Sequence, residues 1–459
     1  MRMRALWTFA TAACLTIGAV GAAAQTPAQQ NPNPTPARPI SAVRNYNQPD
    51  LDPLLAGQTL GVESVLEGSL QKYAAKVRVT ARLLSISTGK ALWAGTFDEP
   101  FTDIFALQDT ISEKVVKALE LQLSSADKKQ LTKHHTASTE AYQLYLKGRF
   151  YWWKTDPEEF KKSREYFHRA VEADPAYALG YCGLNSFYGF SSAWGVLSPE
   201  VGWPKAEWAV KKALELDDSL AEAHLGLAAF KTIQLDWAGA EQESRRAIAL
   251  NPQFDEIHYF YSFLLSVLGR LEEAIAFARR ALTCDPFSLR INLHLANTYY
   301  LARRFDEAVH QYRQMLETNG SDSSTHEALG DTLEQMGNHA GAVEEWRRAA
   351  TLAGDSELAS TIENASGFRD VVLGVARTKL RRLTLEARQG KYVPSAHFVR
   401  LNVRLEDYEQ ALRHLEKATD EQNVHSLIIV RDPQYDPLNE SPQYLNLLAR
   451  IPRLNRQKI

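Results

Sequence analysis

Ala240, Ala274, Ala308 and Ala342 recur at a strict interval of 34 residues, and other positions in the same stretch keep that interval. It links Leu227, Tyr261, Leu295 and Leu329, then Ala228, Ser262, Ala296 and Gly330, then Ala247, Ala281, Met315 and Ala349. It also places Pro252 and Pro286 in register with Gly320 and Gly354. A fixed period of this length means one supersecondary unit repeated, each copy burying its apolar face on its neighbours. Small residues at the eighth and twentieth positions of the unit let two antiparallel helices approach closely. Mostly large apolar residues at the seventh, eleventh and twenty-fourth fill the space between them, and Pro or Gly at the thirty-second stops the second helix. The expected fold is mainly α, a solenoid of helical hairpins with a concave side.

The small pairs Ala228 and Ala240, Ser262 and Ala274, Ala296 and Ala308, and Gly330 and Ala342 resemble the signature of the tetratricopeptide repeat (TPR). Carried backwards, the register gives a unit at 178–220 with Tyr181, Leu184, Tyr188, Ala206 and Ala213, stretched by nine residues around SSAWGVLSPEVGW. An earlier unit at 141–177 has Gly148, Tyr151, Phe167, Ala170 and Pro175. Carried forwards, a degraded unit at 357–391 keeps Ala376 but has Asn364 and Gly367 where packing residues belong, and a last one at 392–425 keeps Tyr408, Ala411, Leu415 and Ala418. Six units are therefore expected over 141–356, two degenerate ones over 357–425, and a C-terminal cap over 426–459.

The chain before the repeats is organised differently. Met1-Arg2-Met3-Arg4, an apolar stretch from Ala5 to Val20 and Gly21-Ala22-Ala23-Ala24 follow the order of a secretory signal, with cleavage expected after Ala24. Residues 25–39 (QTPAQQNPNPTPARP) have the composition of a linker. Alternating patterns in Val62–Leu70, Lys76–Ile86 and Ala91–Phe97 predict three antiparallel strands, and Ile104, Leu107, Ile111, Val115, Leu119 and Leu123 keep helical spacing. LGVESVLEGSLQKYAAKVRVTARLLSISTGKALWAGTF and the helix after it resemble the C-terminal half of the TolB-like domain that precedes TPR arrays in bacterial CadC-like regulators. The resemblance implies a small, incomplete α/β domain over 40–125, joined to the array by 126–140. Those regulators carry a DNA-binding winged helix and a membrane span, and neither is expected here.

With 45% hydrophobic and 23% charged residues the chain has the make-up of a folded soluble protein, and its net charge of -3 lacks the basic footprint of a nucleic-acid binder. Export implies a periplasmic or secreted protein with no membrane span after signal cleavage. Cys182 and Cys284 lie three repeats apart and read as buried hydrophobes, not as a disulfide. No phosphate loop, nucleophile elbow, zincin motif or zinc-spaced cysteine pair is present, so no catalytic residue, cofactor or metal is expected. His134-His135 reads as an exposed pair, and Phe150-Tyr151-Trp152-Trp153 as packing of the first hairpin against the preceding domain. Arg245, Arg279, Arg313 and Arg347 also recur every 34 residues, and read as helical ion pairs with acids such as Glu241, Glu243, Glu344 and Glu345 on a solvated face.

The resemblance to TPR proteins implies that residues on each first helix line the concave groove. In order these are Leu225, Ala229 and Ile233, then Tyr259, Phe263 and Val267, then Leu293, Asn297 and Tyr300, then Glu327, Asp331 and Glu334. An apolar, aromatic floor that turns acidic towards the C-terminal side suits a protein or peptide partner with hydrophobic anchors and a basic end. Leu225 and Ala229 stand where chaperone-binding TPR domains place the Lys and Asn of a carboxylate clamp, so no such clamp is expected. The other reading is that this chain fills its own groove, through a C-terminal helix at 441–450. A non-enzymatic binding scaffold in the cell envelope, or the detached sensory module of a CadC-like regulator, are the two functions compatible with this pattern.

Overall fold

The computed structural model describes residues 52–73, 76–100, 114, 135–152, 157–252, 254–286, 288–318, 320–421, 424–429 and 431–450. The expected signal, the proline-rich linker, His134, Trp153 and nearly all of the helix expected at 104–123 lie outside them. The chain divides into two compact bodies. One comprises 1–180 with 248–255 and 283–288, the other 181–247, 256–282 and 289–459.

In the first body, helix α1 (Pro53–Leu60) is capped by Asp52, whose carboxylate accepts from the Leu54 N–H at 2.9 Å. Strands β1 (Ser64–Tyr73), β2 (Lys76–Ser85) and β3 (Ala91–Pro100) form an antiparallel sheet in the order β1-β2-β3, which is the three-stranded arrangement read from the alternation. Within β2, Val79, Ala81 and Leu83 are buried while Arg78, Thr80 and Arg82 are exposed, the period of two that a sheet with one covered face requires. Helices α2 (Thr139–Trp152) and α3 (Pro157–Ala173) pack as a hairpin. Gly148 makes this possible: a Cβ there would stand 2.5 Å from the Phe167 ring. Phe150, Tyr151 and Trp152 each meet another ring of this hairpin. Tyr151 stacks on Tyr166 at 5.3 Å, Phe150 meets Tyr151 edge-on, and Trp152 lies 5.4 Å from Phe160.

The second body is built of paired helices. These are α4 (Ala178–Ala193) with α5 (Pro199–Leu216), α6 (Ala221–Ile233) with α7 (Trp237–Leu250), α8 (Asp255–Val267) with α9 (Leu271–Cys284), α10 (Leu289–Leu301) with α11 (Phe305–Thr318), and α12 (Ser323–Gln335) with α13 (His339–Leu352). From α6 to α13 the first helices start at 221, 255, 289 and 323 and the second at 237, 271, 305 and 339, so the 34-residue period of the sequence is the period of the backbone. The small residues sit where the helices touch: Ala228, Ala240, Ser262, Ala274, Ala296, Ala308 and Ala342 are all 0% exposed. A Cβ on Gly330 would lie 2.6 Å from the Trp346 indole. Ser262 brings a hydroxyl into this contact and satisfies it by donating to the Ala274 carbonyl at 2.7 Å.

Each turn between paired helices passes through the left-handed region at the same place in the repeat: Leu235 (φ 61), Gly269 (φ 75), Arg303 (φ 57) and Gly337 (φ 76), with Glu406 (φ 61) near the C-terminus. Only two of the five are glycine. A methyl group on Gly337 would meet nothing within 4 Å, so its substitution isolates backbone strain from packing. Gly337→Ala should cost about 1–2 kcal/mol in urea unfolding, with no change in helix content of the native state.

After α13 the repeat erodes. The first helix of the next pair, α14 (Ser356–Glu363), has 8 residues where its four predecessors have 13, and its partner α15 (Phe368–Arg388) has 21. Asn364 ends α14 and its side chain donates back to the Ser360 carbonyl, the behaviour that makes Asn a poor continuation of a helix. There follow α16 (Ser395–Arg404), α17 (Tyr408–Asp420), α18 (Val424–Ile429), a 3-10 helix (Pro433–Leu438) and α19 (Pro442–Arg450). Gly195, in the stretched connection between α4 and α5, has φ 74 and lies against Pro394, where a Cβ would come within 2.4 Å of the proline ring. Cys182 and Cys284 are both buried and not joined in a disulfide.

Candidate binding groove

Along α6, α8, α10 and α12, the twelve residues read as a groove floor follow one face of successive first helices, with Ile233 and Val267 buried. Leu225, Ala229, Tyr259 and Leu293 are half-buried and Asn297 is exposed. Tyr259 carries the Arg290 guanidinium 4.6 Å above its ring and the His294 imidazole 4.6 Å away. His294 also bonds the Ser262 hydroxyl at 2.8 Å through Nε2. Burial, then the neighbouring Arg290 charge, hold its pKa down to about 3, so the ring is neutral at physiological pH. Asn297 accepts a hydrogen bond from Tyr312 at 2.6 Å.

The acidic end of the floor is matched by basic residues of the same chain. Asp331 is buried and accepts from Trp346 Nε1 at 3.1 Å, from Arg400 at 2.5 Å and from Arg404 at 3.1 Å. Arg404 also donates to Glu334 at 2.6 Å and lies over the Trp346 ring at 4.9 Å, while Lys379 donates to Glu327 at 2.7 Å. Burial opposes the charge on Arg400, but Asp331 and Glu327 outweigh it and hold the guanidinium pKa above its ordinary value. Glu334 goes the other way: burial raises its pKa despite Arg404.

The segment after α17 then runs back along the same face. Leu427 packs on Val267, with Phe263, Leu235 and Trp237 around it. Tyr300 donates to Asp432 at 3.0 Å, and Arg303 donates to both carboxylate oxygens of Asp436 at 2.7 Å. Asp432 also caps the 3-10 helix through the Gln434 N–H, and burial pushes its carboxyl pKa up. The stretch meeting the floor is thus 427–436. Helix α19 instead buries Tyr444 and Leu447 in a cluster with Val399, Leu412 and Leu415 of α16 and α17, which corrects the expectation that 441–450 would lie in the groove. Of the floor residues, Phe263, Val267, Tyr300, Glu327, Asp331 and Glu334 meet the chain's own C-terminal part.

Arg400, Arg404, Asp432 and Asp436 were not read from the sequence as groove residues. One signal was available for the first two: they stand four apart on one helix, on one face, and a run of acids elsewhere demands such a pair.

Of the arginines that recur every 34 residues, Arg245, Arg279 and Arg347 each meet a nearby side chain. Arg245 donates to Glu241 at 2.6 Å, Arg347 and Arg348 to Glu344, and Arg279 to the Tyr299 hydroxyl at 2.9 Å. Glu243 pairs with His224 at 2.7 Å and has Lys231 at 3.8 Å. Glu241 collects most: burial pushes its pKa up, yet hydrogen bonds from Arg270, Arg245 and Tyr261 prevail and bring it down to about 2. Because the folded pKa lies below the unfolded one, the stabilisation is complete above about pH 4.5 and is lost as pH falls towards 2. Thermal unfolding of Glu241→Gln should therefore lose on the order of 2 kcal/mol near neutral pH and show a shallower acid limb than the parent chain.

The tetratricopeptide-repeat family profile matches residues 234–288 and 293–357. Among curated proteins the chain is 29% identical over 190 residues to a putative adenylate cyclase 3 of Rhizobium meliloti, covering 41% of this chain and 32% of that protein. It is 26% identical over 160 residues to the transcriptional regulator HilA of Salmonella typhimurium, covering 35% of this chain and 29% of HilA. The chain thus spans about a third of the length of these relatives. Among solved structures, YrrB, described as a TPR protein with an unusual peptide-binding site, is 20% identical, with 44% of this chain and 98% of YrrB covered at a TM-score of 0.31. Among the described residues no helix is long and apolar enough to cross a membrane.

Proposed function

Because the chain carries tetratricopeptide repeats, which serve as scaffolds for protein-protein interaction, we propose that it is a non-enzymatic scaffold of the cell envelope whose first-helix face accepts an extended segment of a partner protein. The observation that carries this reading is the chain's own C-terminal stretch, which lies on that face as a peptide would. Leu427 supplies an apolar anchor on Val267, and Asp432 and Asp436 supply acceptors for Tyr300 and Arg303. A partner with an apolar side chain followed by two acidic ones would make the same contacts by displacing it. Half-buried Leu225, Ala229, Tyr259 and Leu293 extend the floor for the rest of such a segment.

A synthetic peptide with the sequence of residues 424–440, labelled and titrated into the full chain, tests this directly. Binding should be weak to the parent and stronger to a variant with Asp432→Ala and Asp436→Ala, whose internal segment is loosened. Equal, negligible binding to both would remove the groove from the proposal. Fractionation with N-terminal sequencing tests the compartment, and a cytoplasmic protein that retains Met1 would refute export.

The curated relatives favour a second reading. One is named a transcriptional regulator and the other a putative adenylate cyclase, and this chain matches about a third of each. On that reading the array is the sensing part of a regulator. Recovery of the chain in complex with a signalling protein, in place of an envelope protein, would decide for it.

A further inference from the structure

With much of the first-helix face covered by the chain itself, the outer face of α15 stands apart. Arg377, Leu380, Arg381, Thr384, Leu385 and Arg388 fall on one side of this helix at spacings of three, four and seven, and they line a cavity of about 360 Å³. Leu385 is 48% exposed. A second cavity of about 600 Å³ shares Leu380, Thr384 and Arg388 with the first, so the two are continuous, and it reaches Phe398 of α16 with the His414 ring stacked on it at 4.7 Å. The opposite face of α15 is the one that packs inward, through Phe368, Val371 and Val375.

Charge distinguishes this surface from an ordinary solvated helix. The neighbouring arginines Arg369, Arg381, Arg382, Arg400, Arg404 and Arg413 each have a carboxylate partner. Arg377 and Arg388 have none among the described residues, and they bracket the two leucines along three helical turns. The carboxylate that lines the cavity, Asp407, is turned to its own helix, where it caps α17 by accepting from the Gln410 N–H. The surface therefore offers two uncommitted guanidiniums with apolar side chains between them and an open hollow beside them.

We propose that the outer face of α15, with the adjoining cavity between α15, α16 and α17, is a docking surface for an acidic amphipathic helix of a partner protein. Its carboxylates would stand three turns apart to meet Arg377 and Arg388, as bidentate pairs at the rim. The apolar side chain between them would enter the cavity against Leu380 and Phe398, where desolvation gives the binding its core. The surface is separate from the first-helix face and works independently of it.

The probe is a synthetic amphipathic helix with two glutamates three turns apart flanking two leucines, titrated into the full chain by fluorescence anisotropy at low and physiological salt. Saturable binding is expected, weakened about tenfold in a variant carrying Arg377→Gln and Arg388→Gln and by Leu385→Ser. Arg369→Gln, which removes an already paired arginine, and Asp432→Ala, which touches only the first-helix face, should leave binding unchanged. Circular dichroism of each variant confirms that these exposed substitutions leave the fold intact. The proposal is overturned if the double variant binds as tightly as the parent, if a probe with glutamines in place of the glutamates or serines in place of the leucines binds equally well, or if the chain binds vesicles of anionic phosphatidylglycerol and not the peptide.

Discussion

Asp331→Ala should destabilise the second body by about 3 kcal/mol, because it removes the carboxylate on which the buried Arg404 guanidinium and the partly exposed Arg400 guanidinium converge. Arg404 is 9% exposed at its side chain, and water cannot replace what the substitution removes. The loss is no larger, since Glu334 still faces Arg404 and Glu327 remains near Arg400 at 3.9 Å. Trp346 loses its acceptor as well, adding a buried N–H without a partner. Asp331→Asn separates these contributions. The amide keeps an acceptor for Trp346 but no charge for the arginines, so a loss close to that of alanine assigns the effect to the ion pairs. Hydrogen exchange should show where the loss falls. Amides of α16 and α17 should lose protection before those of α8 and α9, since the arginines belong to the former pair.

The second large effect is expected at Tyr312. The side chain is 1% exposed, belongs to an apolar cluster that runs from α9 to α15 and donates to Asn297 at 2.6 Å. Tyr312→Ala should cost about 3–5 kcal/mol through lost burial and the cavity left among Ala296, Tyr299 and Leu329. Tyr312→Phe removes only the hydroxyl and should cost about 0.5–1.5 kcal/mol. A double variant with Asn297→Ala would then show whether the Tyr-Asn bond accounts for that smaller loss. In all three cases the measurement is denaturant unfolding followed by helix content, and a phenylalanine variant as unstable as the alanine one would contradict the packing argument.

The two halves of the result differ in how far the sequence reveals them. The hairpins from α6 to α13 are legible because small residues at fixed places leave one way for helices to touch, and the helix starts keep the same 34-residue interval as Ala240 and Ala274. The erosion at 357–391 is legible too, since Asn364 offers its own side chain to the backbone and ends a helix early. The left-handed turns at Leu235, Arg303 and Glu406 are not, because the local signal for such a turn is glycine and only Gly269 and Gly337 give it. The acidic floor at Glu327, Asp331 and Glu334 was read as facing a basic partner, and the structure supplies that partner from Lys379, Arg400 and Arg404 of the same chain. No local pattern states which distant residue will answer a charge. Arg400 and Arg404 stand about 70 residues beyond Asp331 and reach it across the degraded unit.

The contact between Gly195 and Pro394 bears on how the chain reaches its fold. An array whose units touch only their neighbours can begin to form anywhere and grow in either direction, and it can also fray one hairpin at a time. Here a residue of an early hairpin rests on the connection before α16, and Asp432 and Asp436 return to α10 and the turn after it from more than a hundred residues away. Closing such long loops costs entropy before the contacts reward it, so folding should be slower than hairpin content alone implies. The same ties should make loss of the second body a single cooperative event, in which a nick at one end is felt at the other.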